Sequence, residues 1–284
     1  MAQIGYGHGS EFQLMRFLGH HRHLLESEIC KQTGIGEGQF NWLDFDFADR
    51  RKVISGDKEL SGLLFLSKIP FLDKETIDVI LKDYTSYKIS NINTWQSWDA
   101  IFTLDKKKVD DILKDYKRYK IRNINTWQSW DAVFTLDKTI YLVEAKARVG
   151  EMAYNRKERK SDNEILSFMK NNLSDLPVSS EWLKRYYQLA NRLATTAFLQ
   201  KKGISAKTIC IFFTNGFSKP ILGNRNIIVN MANINDDASI ADYEKAIKLE
   251  METLGIREEK VSHLLTKPVF IEANPIINEN LASF

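Results

Sequence analysis

The chain has 284 residues, 43% of them hydrophobic and 27% charged, with 40 basic against 37 acidic side chains and a formal net charge of +3. Five Pro, fourteen Gly and sixteen Phe exclude a low-complexity or disordered chain, and this length can bury a substantial core. No apolar run approaches the ~20 residues of a membrane helix, and MAQIGYGHGSEF lacks the charged start and apolar centre of a secretory signal, so a cytoplasmic protein without a membrane partner is expected.

From the N-terminus, SEFQLMRFLGHHRHLL opens as a helix at Ser10, with Gln13 completing a capping box. Glu11 falls in its first turn, on the stripe continued by Met15 and Leu18. His20, His21 and His23 follow, but on a continuous helix only His20 and His23 share a face, so a solvated helix face is expected rather than a metal site. TGIGEG at 33–38 follows a helix and precedes QFNWLDFDF, the reverse of a strand-to-helix phosphate loop, and reads as a turn. Asp44 and Asp46 alternate with Phe45 and Phe47 as a half-exposed edge. Cys30 and Cys210 have no CxxC partner or adjacent His, so both are expected as reduced thiols.

Residues 73–104 and 105–136 form a tandem duplication, identical at 24 of 32 aligned positions. Each copy opens with a helical stripe, Ile77, Ile80, Leu81 and Tyr84 in the first and Val109, Ile112, Leu113 and Tyr116 in the second. Each closes on an apolar strand, DAIFTL or DAVFTL. Two copies are too few for a solenoid. Discounting one leaves 252 residues, which favours one elaborated domain across 1–284. The second copy carries eight basic and five acidic side chains, the first three and five. Lys107, Lys108, Lys117, Arg118 and Arg122 account for that drift and are candidate phosphate contacts.

After the second copy the chain reads DAVFTL-DK-TIYLVEAKA, a hairpin turning at Asp137 and Lys138. Counting outward from that turn sets Asp131 opposite Glu144, with Cβ atoms about 4.5–5.5 Å apart, and Lys146 on the same face as Glu144. Two carboxylates so close need a cation or a shared proton, and hard oxygens without His or Cys suit Mg²⁺ or Mn²⁺. Lys146 balances charge and can orient or help activate an attacking water. Asp99 heads the same WDA in the first copy but has no following ExK strand, so it is expected to be structural. The RKERK run at 156–160 is a solvated loop that can also touch phosphates. Residues 181–203 are expected as one amphipathic helix with Trp182, Tyr186, Leu189, Leu193 and Ala197 buried and Gly203 past its end. AKTICIFFTNG at 206–216 is expected as a buried central strand.

Asp131 followed after a short hairpin by Glu144-Ala145-Lys146 resembles the core of the PD-(D/E)xK, or restriction-endonuclease-like, nuclease superfamily, with Trp130 where the eponymous Pro stands. GYGHGSE, WDAV, EAKA and YYQ-ANRLA also resemble a group of bacterial members of that superfamily without an assigned substrate, over most of the chain. The resemblance implies an α/β fold with a restriction-endonuclease-like core, a central mixed sheet flanked by helices in α-β-β-β-α-β order, here with the helix–strand duplication added. It implies catalytic Asp131, Glu144 and Lys146, a metal held by Asp131, Glu144 and the carbonyl of Ala145, and a further acidic ligand at Glu11. Gln188, Asn191 and Arg192 become second-tier candidates for a phosphate or the water. The expected activity is Mg²⁺-dependent hydrolysis of nucleic acid, DNA favoured over RNA. The other readings are a nucleic-acid-binding or assembly protein that keeps the fold without catalysis, and self-association, as a homodimer, through the duplicated segment.

Overall fold

The computed structural model describes residues 10–43, 60–61, 63–86, 129–153, 162–214 and 238–273. Helices α1 (Ser10–His20) and α2 (Arg22–Thr33) open the chain, followed by the short strands β1 (Asn41–Trp42) and β2 (Leu60–Ser61) and helix α3 (Lys74–Ser86). Strands β3 (Ser129–Trp130), β4 (Ala132–Leu136) and β5 (Thr139–Lys146) lead to helices α4 (Asp162–Asn172) and α5 (Tyr187–Lys201). Strand β6 (Ala206–Thr214), helices α6 (Ile240–Leu254) and α7 (Glu258–Val261) and strand β7 (Val269–Glu272) complete it. The result is a mixed α/β protein with a five-stranded sheet in the order β1-β4-β5-β6-β7. β1, β4 and β5 pair antiparallel, whereas β5, β6 and β7 run parallel. β2 and β3 form a separate two-stranded ribbon.

The hairpin forms as its sequence predicts, with Leu136 paired to Thr139 and Ala132 to Val143. Asp137 and Lys138 both take positive φ, 48° and 61°, the primed turn whose twist matches the strands it joins. Alternation along β5 then divides its side chains between two cores. Tyr141, Val143 and Ala145 join Ile209, Ile211 and Phe213 under α1 and α2, which contribute Leu14, Phe17, Leu18, Leu25 and Ile29. Ile140 and Leu142 pack on the other side with Ile80 and Tyr84 of α3, Phe168 of α4 and Leu193 and Phe198 of α5. Glu144 and Lys146 continue that second row.

The first copy of the repeat supplies α3, with Ile77, Ile80 and Tyr84 buried and Leu81 half-buried. Asp73 caps it, accepting from the Thr76 backbone N–H at 2.8 Å. Tyr84 meets the rings of Phe168 and Phe198 at 5.6 and 5.3 Å. The second copy supplies β3 and β4. The core therefore combines the helix of one copy with the strand of the other.

Two expected helices are interrupted. Between α1 and α2 the chain breaks at His21 (φ −132°, ψ 32°), whose ring stands edge-on to Phe17 at 6.0 Å. The segment 181–203 divides into a 3-10 turn, Ser180–Leu183, and α5, because Lys184 leaves the helical region at φ −94° and ψ −119°. Trp182 is fixed there by its indole N–H, which donates to the Leu254 carbonyl at 3.1 Å. Nor is α5 amphipathic: it is buried on every side from Leu189 to Leu199. Its hydroxyls are satisfied internally, Thr195 and Thr196 donating back to the carbonyls of Asn191 and Arg192, both at 3.0 Å. Strand β6, expected at the centre of the sheet, is an interior, largely buried strand between β5 and the edge strand β7, with β5 at the centre.

The left-handed turn carries a Cβ at both positions, which costs each residue conformational energy that Gly escapes. Lys138→Gly is therefore expected to stabilise the protein by about 0.5 kcal/mol, after the greater unfolded-state entropy of Gly is deducted. A urea midpoint that falls instead would contradict the turn assignment.

Candidate active site

Glu144 and Lys146 stand near the C-terminal end of β5, opposite Cys210 and Phe212 of β6. Glu144 is 5% exposed and has charged donors at both oxygens. The Lys146 ammonium donates to Oε1, and Arg192 of α5 donates through Nε to Oε2 at 2.6 Å. The Arg192 guanidinium also lies 4.6 Å from the centre of the buried Trp130 ring, a cation–π stack. Trp130 thus supports the residue that clamps Glu144.

Asp131 is not in the ladder with Glu144 as counted from the turn. Pairing ends at Ala132 and Val143, and the chain bends at Asp131 because β3 departs to pair with Leu60 and Ser61. That departure leaves the Ala145 N–H without a backbone acceptor in β4, and the Asp131 carboxylate supplies one, Oδ2 accepting at 2.6 Å. Asp131 closes the end of the hairpin and still falls within the field of Glu144, Lys146 and Arg192.

The protonation equilibria follow from this burial. Burial works to raise Glu144, but Arg192 and Lys146 outweigh it and hold the carboxyl down to about 2. Asp131 goes the other way, pushed up to about 8 by burial and by the Glu144 charge. Burial works against the charge on Lys146 and Arg192, yet Glu144 and Asp131 raise both above their ordinary values. Lys146 is therefore a cation that donates hydrogen bonds and not a free amine that accepts a proton.

A third carboxylate, absent from the sequence-derived site, faces the same group. Glu250 of α6 is buried, and burial pushes it up to about 8, partly offset by the Lys146 charge. Its signal was a lone acidic residue on the stripe Tyr243, Glu250, Leu254, the three buried positions of α6. Among the described residues, and setting aside the Glu151–Arg148 pair, fully ionised Asp131, Glu144 and Glu250 would be balanced by Lys146 and Arg192 with one negative charge in excess. A proton or a metal cation can balance it.

The donor set fits a hard divalent ion. Asp131 Oδ1 accepts no hydrogen bond among the described residues, and Mg²⁺ commonly takes one or two protein carboxylates and completes its shell with water and substrate. No group of three or more His, Cys, Asp or Glu able to hold a metal ion stands together among the described residues. Gln188, one helical turn before Arg192, has a buried Oε1 with no hydrogen-bond partner among them. Asn191 instead donates to the Tyr187 hydroxyl at 3.2 Å.

Helix α1, which carries Glu11 in its first turn, covers the opposite face of the sheet from Glu144. Asp44, Asp46, Asp99, Lys107, Lys108, Lys117, Arg118, Arg122, the second-copy helix, the first-copy strand and the run 156–160 lie outside the described residues. No described helix is long and apolar enough to cross a membrane.

Fold and site together define a mixed α/β protein with a buried carboxylate–ammonium–guanidinium cluster near the carboxyl end of its central parallel strands. No family model, curated protein or solved structure matches the chain.

Asp131 and Glu250 titrate higher in the fold than in an unfolded chain, so each gives the folded state more bound protons and lowers stability as pH rises from about 4 toward 8. Glu144 contributes stability that is present above about pH 4.5 and lost as pH falls toward 2. Thermal midpoints in metal-free buffer are expected to peak near pH 5 and decline toward pH 8, at up to ~1.4 kcal/mol per pH unit for each raised group. Asp131→Asn should flatten that decline. Midpoints that climb steadily to pH 8 would contradict the buried charge surplus.

Proposed function

We propose that this protein is a metal-dependent phosphodiesterase that hydrolyses nucleic acid, DNA in preference to RNA. The observation that carries the reading is the meeting of Asp131, Glu144 and Lys146 in one buried group, which with Arg192 and Glu250 has a surplus negative charge among the described residues. The element order α1–β1–β4–β5–α5–β6, with three antiparallel strands and a fourth parallel to the third, supports a restriction-endonuclease-like core. The carboxyl end of parallel strands is also where open α/β sheets bind ligands.

Asp131, Glu144 and the carbonyl of Ala145 are the groups that would hold Mg²⁺ or Mn²⁺, which when bound supplies Lewis-acid polarisation of a phosphate oxygen. Lys146, kept cationic by its carboxylate neighbours, donates hydrogen bonds that orient the attacking water or a non-bridging phosphate oxygen. Arg192 fixes the rotamer of Glu144 from above. Gln188 offers an uncommitted amide oxygen within the same helix face. Lys107, Lys108, Lys117, Arg118 and Arg122 supply sequence-independent attraction for the phosphodiester backbone.

One observation favours a second reading, a nucleic-acid-binding or assembly protein that retains the fold without catalysis. Both oxygens of Glu144 are already engaged by Lys146 and Arg192, as in a purely structural ion cluster.

Plasmid, linear, branched and single-stranded substrates incubated with Mg²⁺ or Mn²⁺ distinguish the two. Wild-type protein is expected to cleave, Glu144→Ala and Lys146→Ala to lose at least ~10²–10³-fold in rate, and Asp99→Ala to keep full activity. Calorimetric Mn²⁺ titration should show binding that Asp131→Ala abolishes. Absence of cleavage, with Mn²⁺ binding indifferent to Asp131→Ala, selects the second reading. Silencing by Asp99→Ala would transfer the site to the first copy.

A further inference from the structure

Helix α6 is fastened at both of its ends, near its start to β5 and β6 and at its end to the 3-10 turn Ser180–Leu183. Near its start the Tyr243 hydroxyl donates to the carbonyls of Phe213 and Lys146 at 3.2 and 3.5 Å. At its end the Leu254 carbonyl accepts from Trp182. Glu250 lies between these anchors, two turns after Tyr243 on the same face, and its field reaches Cys210, the β6 residue opposite Glu144. It is 6% exposed and makes no hydrogen bond or ion pair among the described residues. A carboxylate largely withdrawn from water and without a protein partner is left free to accept a donor that comes within reach.

The carboxylates around Lys146 are Glu144, Asp131, Glu151 and Glu250. Glu151 is committed to the Ala147 N–H at 2.9 Å and to Arg148 at 3.1 Å. Asp131 is committed to the Ala145 N–H. Glu144 holds the ammonium, yet it is also the group a cation would claim. An ammonium has three donors, and moving Glu144 toward a metal leaves them in need of another buried acceptor. Glu250 is the uncommitted one.

Resting on the phosphodiesterase reading, we propose that Glu250 is a positioning residue for Lys146, accepting its ammonium from the α6 side when Glu144 turns to a cation or substrate. Lys146 remains protonated throughout, and only its acceptor changes.

Two measurements test this. In full-length protein labelled with ¹⁵N-lysine, Glu144→Gln removes the charge of the first acceptor without any metal. Lys146 is expected to keep its ammonium ¹⁵Nζ resonance at neutral pH in Glu144→Gln and to lose it in the Glu144→Gln, Glu250→Gln double variant. In cleavage assays Glu250→Gln should lower kcat by about 10- to 100-fold with KM within about twofold, and Glu250→Asp should recover part of the loss. The isosteric Gln variant should fold with an unchanged or raised thermal midpoint, and Glu250→Asp provides the comparison should it not. An ammonium resonance in the double variant equal to that in Glu144→Gln, or wild-type kcat in Glu250→Gln, overturns the proposal. If wild-type protein cleaves nothing, the phosphodiesterase reading falls, while the resonance comparison still decides whether Glu250 holds Lys146.

Discussion

Placing Glu144 in the interior, one row beyond Ile140 and Leu142 on β5, sets the conditions for much of the surrounding structure. The desolvation penalty for a buried carboxylate is several kcal/mol, and it is offset only when both oxygens are well matched. Lys146 comes from the same strand two residues on, but Arg192 has to be brought across from α5. That contact requires α5 to lie directly on the sheet, which is why so much of it is buried and why its threonines turn to their own backbone. The Thr196 and Thr208 hydroxyls, 2.7 Å apart, fasten helix to strand one turn beyond. Arg192 is in turn stacked on Trp130, so the site and the β3–β4 bend share one packing solution.

The parts of this arrangement governed by short-range rules could be read from the sequence. A two-residue turn and strict alternation fixed the β4–β5 register and the face shared by Glu144 and Lys146, and the helical stripe of α3 fixed the burial of Ile77, Ile80 and Tyr84. The parts set by distant partners could not. Asp131 leaves the ladder because Trp130 pairs with Leu60, seventy positions earlier. The helix beginning near Ser180 breaks where Trp182 is pulled toward Leu254, again far along the chain. Arg192 was legible as a cation near the site, but its use depends on whether a carboxylate or a phosphate reaches it first, and within the protein Glu144 does. Glu250 had a readable stripe, yet the stripe does not reveal which strand α6 will cover.

The duplication illustrates the same division. The apolar face that fits α3 against Phe168 and Phe198 is written again at Val109, Ile112, Leu113 and Tyr116, so helix packing alone does not distinguish the copies. The strand does distinguish them. The sequence after Leu136 continues directly into a partner strand, and the two-residue loop it closes is among the shortest a hairpin allows. Closure entropy rises slowly with loop length, so a long interval between α3 and β4 is tolerated where a broken hairpin would not be. Using the first helix with the second strand is thus compatible with both rules.

The surplus negative charge connects stability with chemistry. Asp131 and Glu250 are carboxylates whose charged forms the interior disfavours, and an apolar replacement of similar shape would serve the core better. Such sites lose stability in the free protein and would regain it from whatever binds and neutralises them, so any cation bound there would draw its affinity from the same term that weakens the empty fold. Glu144 alone cannot provide this coupling, because Arg192 and Lys146 already satisfy it. That coupling would come from the two other carboxylates, one on the β3–β4 bend and one on α6, and the ammonium of Lys146 lies within the field of both.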